Sequence, residues 1–306
     1  MKRAAEFAAV FFWLSASIAF GAQPSSKPGA PKTVEILQGE IAEINFSAPG
    51  VVAAEGRLGS EKIYFYPGDK GVFTALVGAD LETKPGPAKI VVNGTTHSGA
   101  PWATEIPLKI KAKAFKSESF AVAQEFDQLS PEVLERIRRE QEQFSRVFSL
   151  SAAQRLWARP FVAPLPKEIM SPFGYRRIIN GTPRSPHTGA DLKAPMETPV
   201  LAANHGRVVL LGDFFYSGKS LVLDHGGGLF TVYFHLSEFK ADEAAEVKKG
   251  DVIALSGMTG RVTGPHLHWG ARMNGARIDP FQLVEKLGGG AEGAASSATK
   301  TEKSEK

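Results

Sequence analysis

From Thr33 to about Lys286 the apolar residues of this chain come in short runs cut by glycine and proline, and one stretch alone sustains helical spacing over several turns. A chain punctuated in this way has to build its cores from strands. Ala42, Ile44 and Phe46 alternate with Glu43 and Asn45, and Ile106, Leu108 and Ile110 alternate with Pro107 and Lys109. Between them lie Ile63-Tyr64-Phe65-Tyr66, Phe73 to Val77 and Ile90-Val91-Val92, with turn chemistry at Pro67-Gly68-Asp69 and Lys84-Pro85-Gly86-Pro87. About six strands in about eighty residues predict a small antiparallel β-sandwich over residues 33–113.

The helical stretch follows, inside a connector spanning residues 114–159. Ser130-Pro131-Glu132 has a capping serine, proline at the first position and an acid in the first turn. Val133, Leu134, Ile137, Phe144, Val147 and Phe148 recur at helical spacing, while arginine and glutamate fill the other face. Ser151-Ala152-Ala153-Gln154 fits a capping box and predicts a second helix start.

Residues 160–286 read as a second β-rich domain. Strands are expected at Val200–Ala203, Gly206–Leu211, Ser220–Asp224, Phe230–Leu236, Asp251–Ser256 and Leu267–Arg272, with a short helix from Pro280. The fold class is therefore mainly β: a sandwich, a helical strut and an antiparallel-sheet domain. Residues 23–32 form a Pro/Gly/Ser linker, and residues 287–306 a tail too polar to fold.

Met1-Lys2-Arg3 and the apolar run to Ala22 predict a secretory signal peptide over 1–22, which makes the chain an exported protein. The alternative is an uncleaved anchor, for which the apolar run is short. A formal net charge of +4, without a basic run interleaved with aromatics, calls for no nucleic-acid partner. Once the leader is removed, no membrane contact is expected either. The absence of cysteine excludes disulfides and thiolate metal sites, so any zinc has to be held by histidine and carboxylate.

Those residue types are concentrated. His187 and Asp191 stand four apart, His235 follows in Tyr233-Phe234-His235-Leu236, and His266-Leu267-His268 comes later, so four of the seven histidines fall in three short clusters. In a strand, alternate residues face the same way. His266 and His268 then point into one groove, with Leu267 and Trp269 behind, and Tyr233 and His235 share a face, with Phe234 and Leu236 behind. Pro186 and Gly189 argue that His187 and Asp191 sit on a loop entering a strand rather than on a helix. His187, Asp191 and one further histidine would give a zinc ion three ligands and leave a position open for water. Spacing does not decide whether His266 or His268 completes the set. His97 reads as solvated; His205 and His225 read as structural, with His225 close enough to Gly226-Gly227-Gly228 to approach the groove.

Ser171-Pro172-Phe173-Gly174-Tyr175-Arg176, His187-Thr188-Gly189-Ala190-Asp191, Tyr233-Phe234-His235-Leu236 and the run from Gly260 to Trp269 together resemble the lysostaphin/LytM-type zinc metallopeptidases. Members of that family cut the peptide cross-links of bacterial peptidoglycan. The resemblance covers about residues 160–285, and the β-rich segment ahead resembles the N-terminal domain of some exported members. It implies one zinc ion per chain held by His187, Asp191 and His268, with His235 and His266 as the catalytic pair. All five positions are intact, unlike those of members that have become non-catalytic activators.

Arg176, with Arg177 and Arg184, suits the carboxylates of wall peptides. Tyr216, on an expected hairpin tip, and Tyr233 are further candidates to line the groove. The reading is an exported, periplasmic zinc endopeptidase of peptidoglycan. A wall-binding scaffold that activates an amidase is the alternative from another class. For the N-terminal domain two roles are open, shielding the groove or placing the peptidase at the wall.

Overall fold

The structure, a computed structural model, describes residues 31–120, 129–183 and 185–288. The expected signal peptide, nearly all of the 23–32 linker, Arg184 and nearly all of the tail lie outside the described residues. The protein is mainly β. Among the described residues no helix is long and apolar enough to cross a membrane.

The N-terminal segment folds as two facing sheets. One runs Val34–Leu37, Pro101–Lys111, Gly86–Thr96, Val51–Leu58, Glu61–Tyr64 in spatial order; the other runs Ile41–Ser47, Val72–Gly78, Tyr66–Pro67. The alternating apolar residues meet between them, where Phe46 packs against Phe65, Phe73 and Trp102 and Ile44, Ile63, Ile90 and Ile106 are almost wholly buried. The pairing is not all antiparallel. Val34–Leu37 lies parallel to Pro101–Lys111, which brings the start of the segment beside its end.

The connector departs further from expectation. Its helix, α1, spans Pro131–Phe148, and the Ser130 side chain caps it by accepting from the Val133 N–H. Ahead of it, the Ser117–Phe120 strand pairs in parallel with Arg176–Ile179 of the following domain. The second helix predicted at Ser151 does not form. The Ser151 hydroxyl donates to Asp224 Oδ1 (2.7 Å) and the Ala152 N–H donates to Asp224 Oδ2 (2.8 Å). The groups a helix start would have used are spent on fastening the connector to a strand end.

The C-terminal domain is a curled, almost wholly antiparallel sheet. Its central path runs Ile169–Ser171, Gly189–Lys193, His266–Met273, Leu229–Phe239, Gly218–Asp224, Gly206–Phe214 and Glu246–Val247. One face carries the main core, including Leu192, Leu221, Tyr233, Leu267 and Trp269. A second helix, α2 (Phe281–Leu287), closes that core through Phe281 and Leu283. The other face is partly covered by α1, whose Phe144, Val147 and Phe148 pack on Val222, Phe230, Val232 and Phe234.

The sandwich meets the sheet at the far end of His266–Met273. Ile41 and Leu76 enter the same core as Met273 and Ala276. Arg277 clamps Asp80 with two bonds, Nε to Oδ2 at 2.8 Å and a terminal nitrogen to Oδ1 at 2.6 Å. The guanidinium holds the half-buried Asp80 carboxyl below its ordinary range even though burial alone would raise it.

Candidate metal centre

Three strands or strand ends deliver the site. His187 closes the loop that leads into Gly189–Lys193, and its backbone is gripped on both sides: the Gly174 N–H donates to His187 O (2.8 Å) and the His187 N–H donates to Tyr175 O (2.9 Å). Gly174 has φ +82°, and a Cβ there would lie 2.1 Å from the Phe115 ring, so this turn needs glycine twice over. The His187 ring is oriented by Pro172 O, 2.9 Å from Nδ1. A carbonyl only accepts, so Nδ1 carries the proton and Nε2 presents a lone pair.

Asp191 and His268 are direct partners across the antiparallel pair formed by Gly189–Lys193 and His266–Met273. Leu267 and Trp269, fully buried, fill the core face between the two histidines. Gly189 lets the strands approach, since a Cβ there would meet His268 Nε2 at 2.6 Å.

The result is a triangle of donor atoms. His187 Nε2 lies 2.9 Å from Asp191 Oδ1 and 3.0 Å from His268 Nδ1, and His268 Nδ1 lies 2.8 Å from Asp191 Oδ1. All three residues are at least nine-tenths buried. Burial opposes ionisation of Asp191, yet the adjoining His187 and His268 outweigh it and hold the carboxyl far below its ordinary range. Burial likewise lowers the His268 pKa, partly offset by Asp191. Two imidazoles and a carboxylate converging on one point are a divalent-cation donor set. A tetrahedral zinc with ligands at ~2.0–2.1 Å has edges of about 3.3 Å, a few tenths longer than those seen, so the residues fit the ion with small adjustments.

His266 and His235 stand beside this triangle. His266 Nε2 is 3.8 Å from Asp191 Oδ1, and its Nδ1 donates to Gly264 O (2.9 Å). The His235 ring lies 4.7 Å from that of His266, and its Nδ1 donates to Thr259 O (3.0 Å). In the neutral form of either ring the proton therefore sits on Nδ1 and the lone pair on Nε2. Burial first, then the neighbouring His268 and His266, push the His235 pKa down to about 3.

The strand alternation expected around His235 fails. Between the paired positions Lys219/Leu236 and Leu221/Tyr233 the register slips, and His235 takes φ +64°. This bulge puts Phe234 on the site side, stacked on His268 at 5.2 Å, while Tyr233 and Leu236 both enter the core. Tyr233, expected to line the groove, is fully buried, and its hydroxyl accepts from the Ala203 N–H (3.0 Å). That expectation is corrected: Tyr233 has no surface to offer a substrate.

Tyr216 does occupy a hairpin tip and is 44% exposed, with the Arg261 guanidinium over its ring. Arg176 is exposed, and its neighbour Arg177 reaches the centre, 3.4 Å from Asp191 Oδ2. His97 is exposed as expected. His225 lies in the core instead of near the groove, its Nδ1 donating to His205 O (2.7 Å) and its Nε2 bonded to Thr231 Oγ1 (2.8 Å). Phe234 was not among the expected site residues, and no local pattern marks it, because the slip that turns it depends on the facing strand.

Residues 185–280 match the profile of peptidase family M23. The chain is 45% identical over 117 residues to the DD-carboxypeptidase/endopeptidase Mpg of Neisseria meningitidis, a match covering 38% of this chain and 27% of that protein. It is 40% identical over 115 residues to the peptidoglycan DD-endopeptidase ShyA of Vibrio cholerae, covering 37% and 27%. The matches thus span about a quarter of the length of these curated relatives. A crystal structure assigned to peptidase M23 from Pseudomonas aeruginosa superposes with a TM-score of 0.61 at 27% identity, over 81% of this chain and 94% of that one.

Proposed function

We propose that the chain, whose residues 185–280 match peptidase family M23, is an exported zinc endopeptidase that hydrolyses peptide cross-links of peptidoglycan. One observation carries the reading: His187 Nε2, Asp191 Oδ1 and His268 Nδ1 converge within hydrogen-bond distance of each other, with two further imidazoles alongside. The names of the relatives support the substrate, and residues 1–22 support export to a periplasm.

His187, Asp191 and His268 would hold the zinc, which when bound polarises a carbonyl and makes water a nucleophile near neutral pH. The rest follows from the chain's own groups. His235 stays neutral at working pH, because a protonated ring would be buried beside two other imidazoles. Its Nε2 suits accepting a hydrogen bond and aligning a nucleophile better than storing a proton. His266 Nε2, at the edge of the triangle, is then the atom that takes the proton and returns it to the leaving amine. Arg177, bonded to the outer oxygen of Asp191, keeps that carboxylate turned with Oδ1 inward.

The test is digestion of purified sacculi by full-length protein, with metal analysis and fragment mass spectrometry. Loss of cross-linked fragments, dependent on zinc and abolished in His187→Ala, supports the reading. Binding to sacculi without release of fragments would replace it by the scaffold reading.

A further inference from the structure

We propose that helix α1, which lies outside the family-matched residues, is part of the catalytic apparatus, with Glu140 as a positioning residue for His235. The inference rests on the role given to His235 above.

Glu140 sits mid-helix with only 15% of its side chain exposed. Its Oε2 accepts from the Phe215 N–H (2.9 Å), and its Oε1 accepts from Arg136 Nε (2.6 Å). Arg136, one turn earlier, also donates to Asp213 O (3.2 Å) and lies over the Phe215 ring. Phe144, one turn later, packs on Phe214 with ring centroids 4.7 Å apart. Residues spaced four apart on one face of α1 thus hold the tip joining Gly206–Phe214 to Gly218–Asp224 by its backbone as well as its rings. The backbone bond matters most. A half-buried carboxylate accepting an amide N–H makes a charge-assisted bond that fixes the turn in one place.

That turn is what His235 hangs on. The His235 N–H donates to Ser217 O (2.9 Å), and the Arg261 N–H donates to Tyr216 O (3.0 Å). The Lys219 N–H donates to Thr259 Oγ1 (2.8 Å), and Thr259 O receives the His235 Nδ1–H (3.0 Å). Both anchors of the imidazole, its own backbone and the carbonyl that sets its tautomer, are therefore referred to the hairpin tip. The tip is referred to Glu140. His235 gains from such a hold because it occupies the left-handed region at a bulge, a conformation that non-glycine residues keep where the surroundings enforce it.

The experiment compares full-length wild type with Glu140→Ala, Glu140→Gln and Arg136→Met, using a soluble cross-linked muropeptide dimer as probe. Glutamine keeps an acceptor for the Phe215 N–H. Arg136 is half exposed, so its replacement disturbs the same contact without risk to the core. Glu140→Ala is expected to lower kcat by about tenfold to a hundredfold with KM and bound metal unchanged. Arg136→Met should show a smaller fall, and Glu140→Gln a rate within about threefold of wild type. Independently of activity, the His235 Nδ1–H proton resonance should broaden in Glu140→Ala and stay sharp in Glu140→Gln. An unchanged resonance in Glu140→Ala, or a glutamine variant as impaired as alanine, overturns the proposal. If the wild type does not cleave the dimer, the functional reading fails while the resonance still decides the role of Glu140.

Discussion

The imidazole of His268 lies flat on the ring of Phe234, with centroids 5.2 Å apart and planes 5° from parallel. Phe144 of α1 meets the same ring edge-on at 5.8 Å, so the histidine is braced through Phe234 against the helix. Groups that orient a ligand without touching the metal typically govern affinity by ten- to a hundredfold. Phe234→Ala should weaken zinc binding by about that factor, and Phe234→Leu by less. Competition titration against a chromophoric chelator measures both; equal affinity in all three proteins would contradict the bracing.

The two classes of polar residue in the centre should separate cleanly. His187→Ala and His268→Ala each remove a donor atom from the triangle and Asp191→Asn removes its negative charge, and each should reduce bound zinc from about one per chain towards zero. His235→Ala and His266→Ala should keep the metal and lose roughly 10²- to 10⁴-fold in kcat. Elemental analysis beside steady-state rates checks both halves.

Tyr233 offers a contrasting case. Its hydroxyl satisfies the buried Ala203 N–H and bonds Thr231. Tyr233→Phe should leave KM untouched and cost about 1–3 kcal/mol of stability, the usual penalty for stranding a buried donor. Urea unfolding together with substrate kinetics reads the two effects apart, and a raised KM at unchanged stability would return Tyr233 to the groove.

Acid sensitivity should come from the core as well as from the centre. Burial pushes the pKa of His225 down to about 4, against about 6.5 in an unfolded chain. As pH drops below about 6.5 the unfolded chain takes up a proton that the folded chain refuses until about pH 4. Stability is therefore complete above that window and falls within it, by up to about 3 kcal/mol at its lower end. His235, with its pKa also pushed down, adds to the slope in the same direction. Thermal unfolding from pH 7 to pH 4 should show a shallower decline in His225→Gln than in wild type; parallel curves would refute this.

What could be read from residue order, and what could not, divides by range. The His266-Leu267-His268 pair was legible because Leu267 and Trp269 supply the buried half of an undisturbed alternation. The loop-to-strand placement of His187 and Asp191 was legible from Pro186 and Gly189, whose effect on the backbone is local. The orientation of residues 233–236 was not, since the bulge comes from the register against Gly218–Asp224. Nor was the fate of Ser151: its capping pattern is sound locally and is overruled by Asp224, distant in the chain. The parallel return of Val34–Leu37 beside Pro101–Lys111 is likewise a long-range pairing that no window of neighbours encodes.

Ile41 and Leu76 are seated among Met273 and Ala276, so the sandwich contributes to the interior beneath the sheet that carries His266 and His268. Domain shuffling by exchange of linkers alone would tear this interior and leave a greasy scar on the C-terminal half. A recipient protein would have to bring its own cover, or the scar would have to be rewritten in polar residues first. The two halves are thus bound to change together, and a fragment trimmed for convenience should clump unless that patch is redesigned.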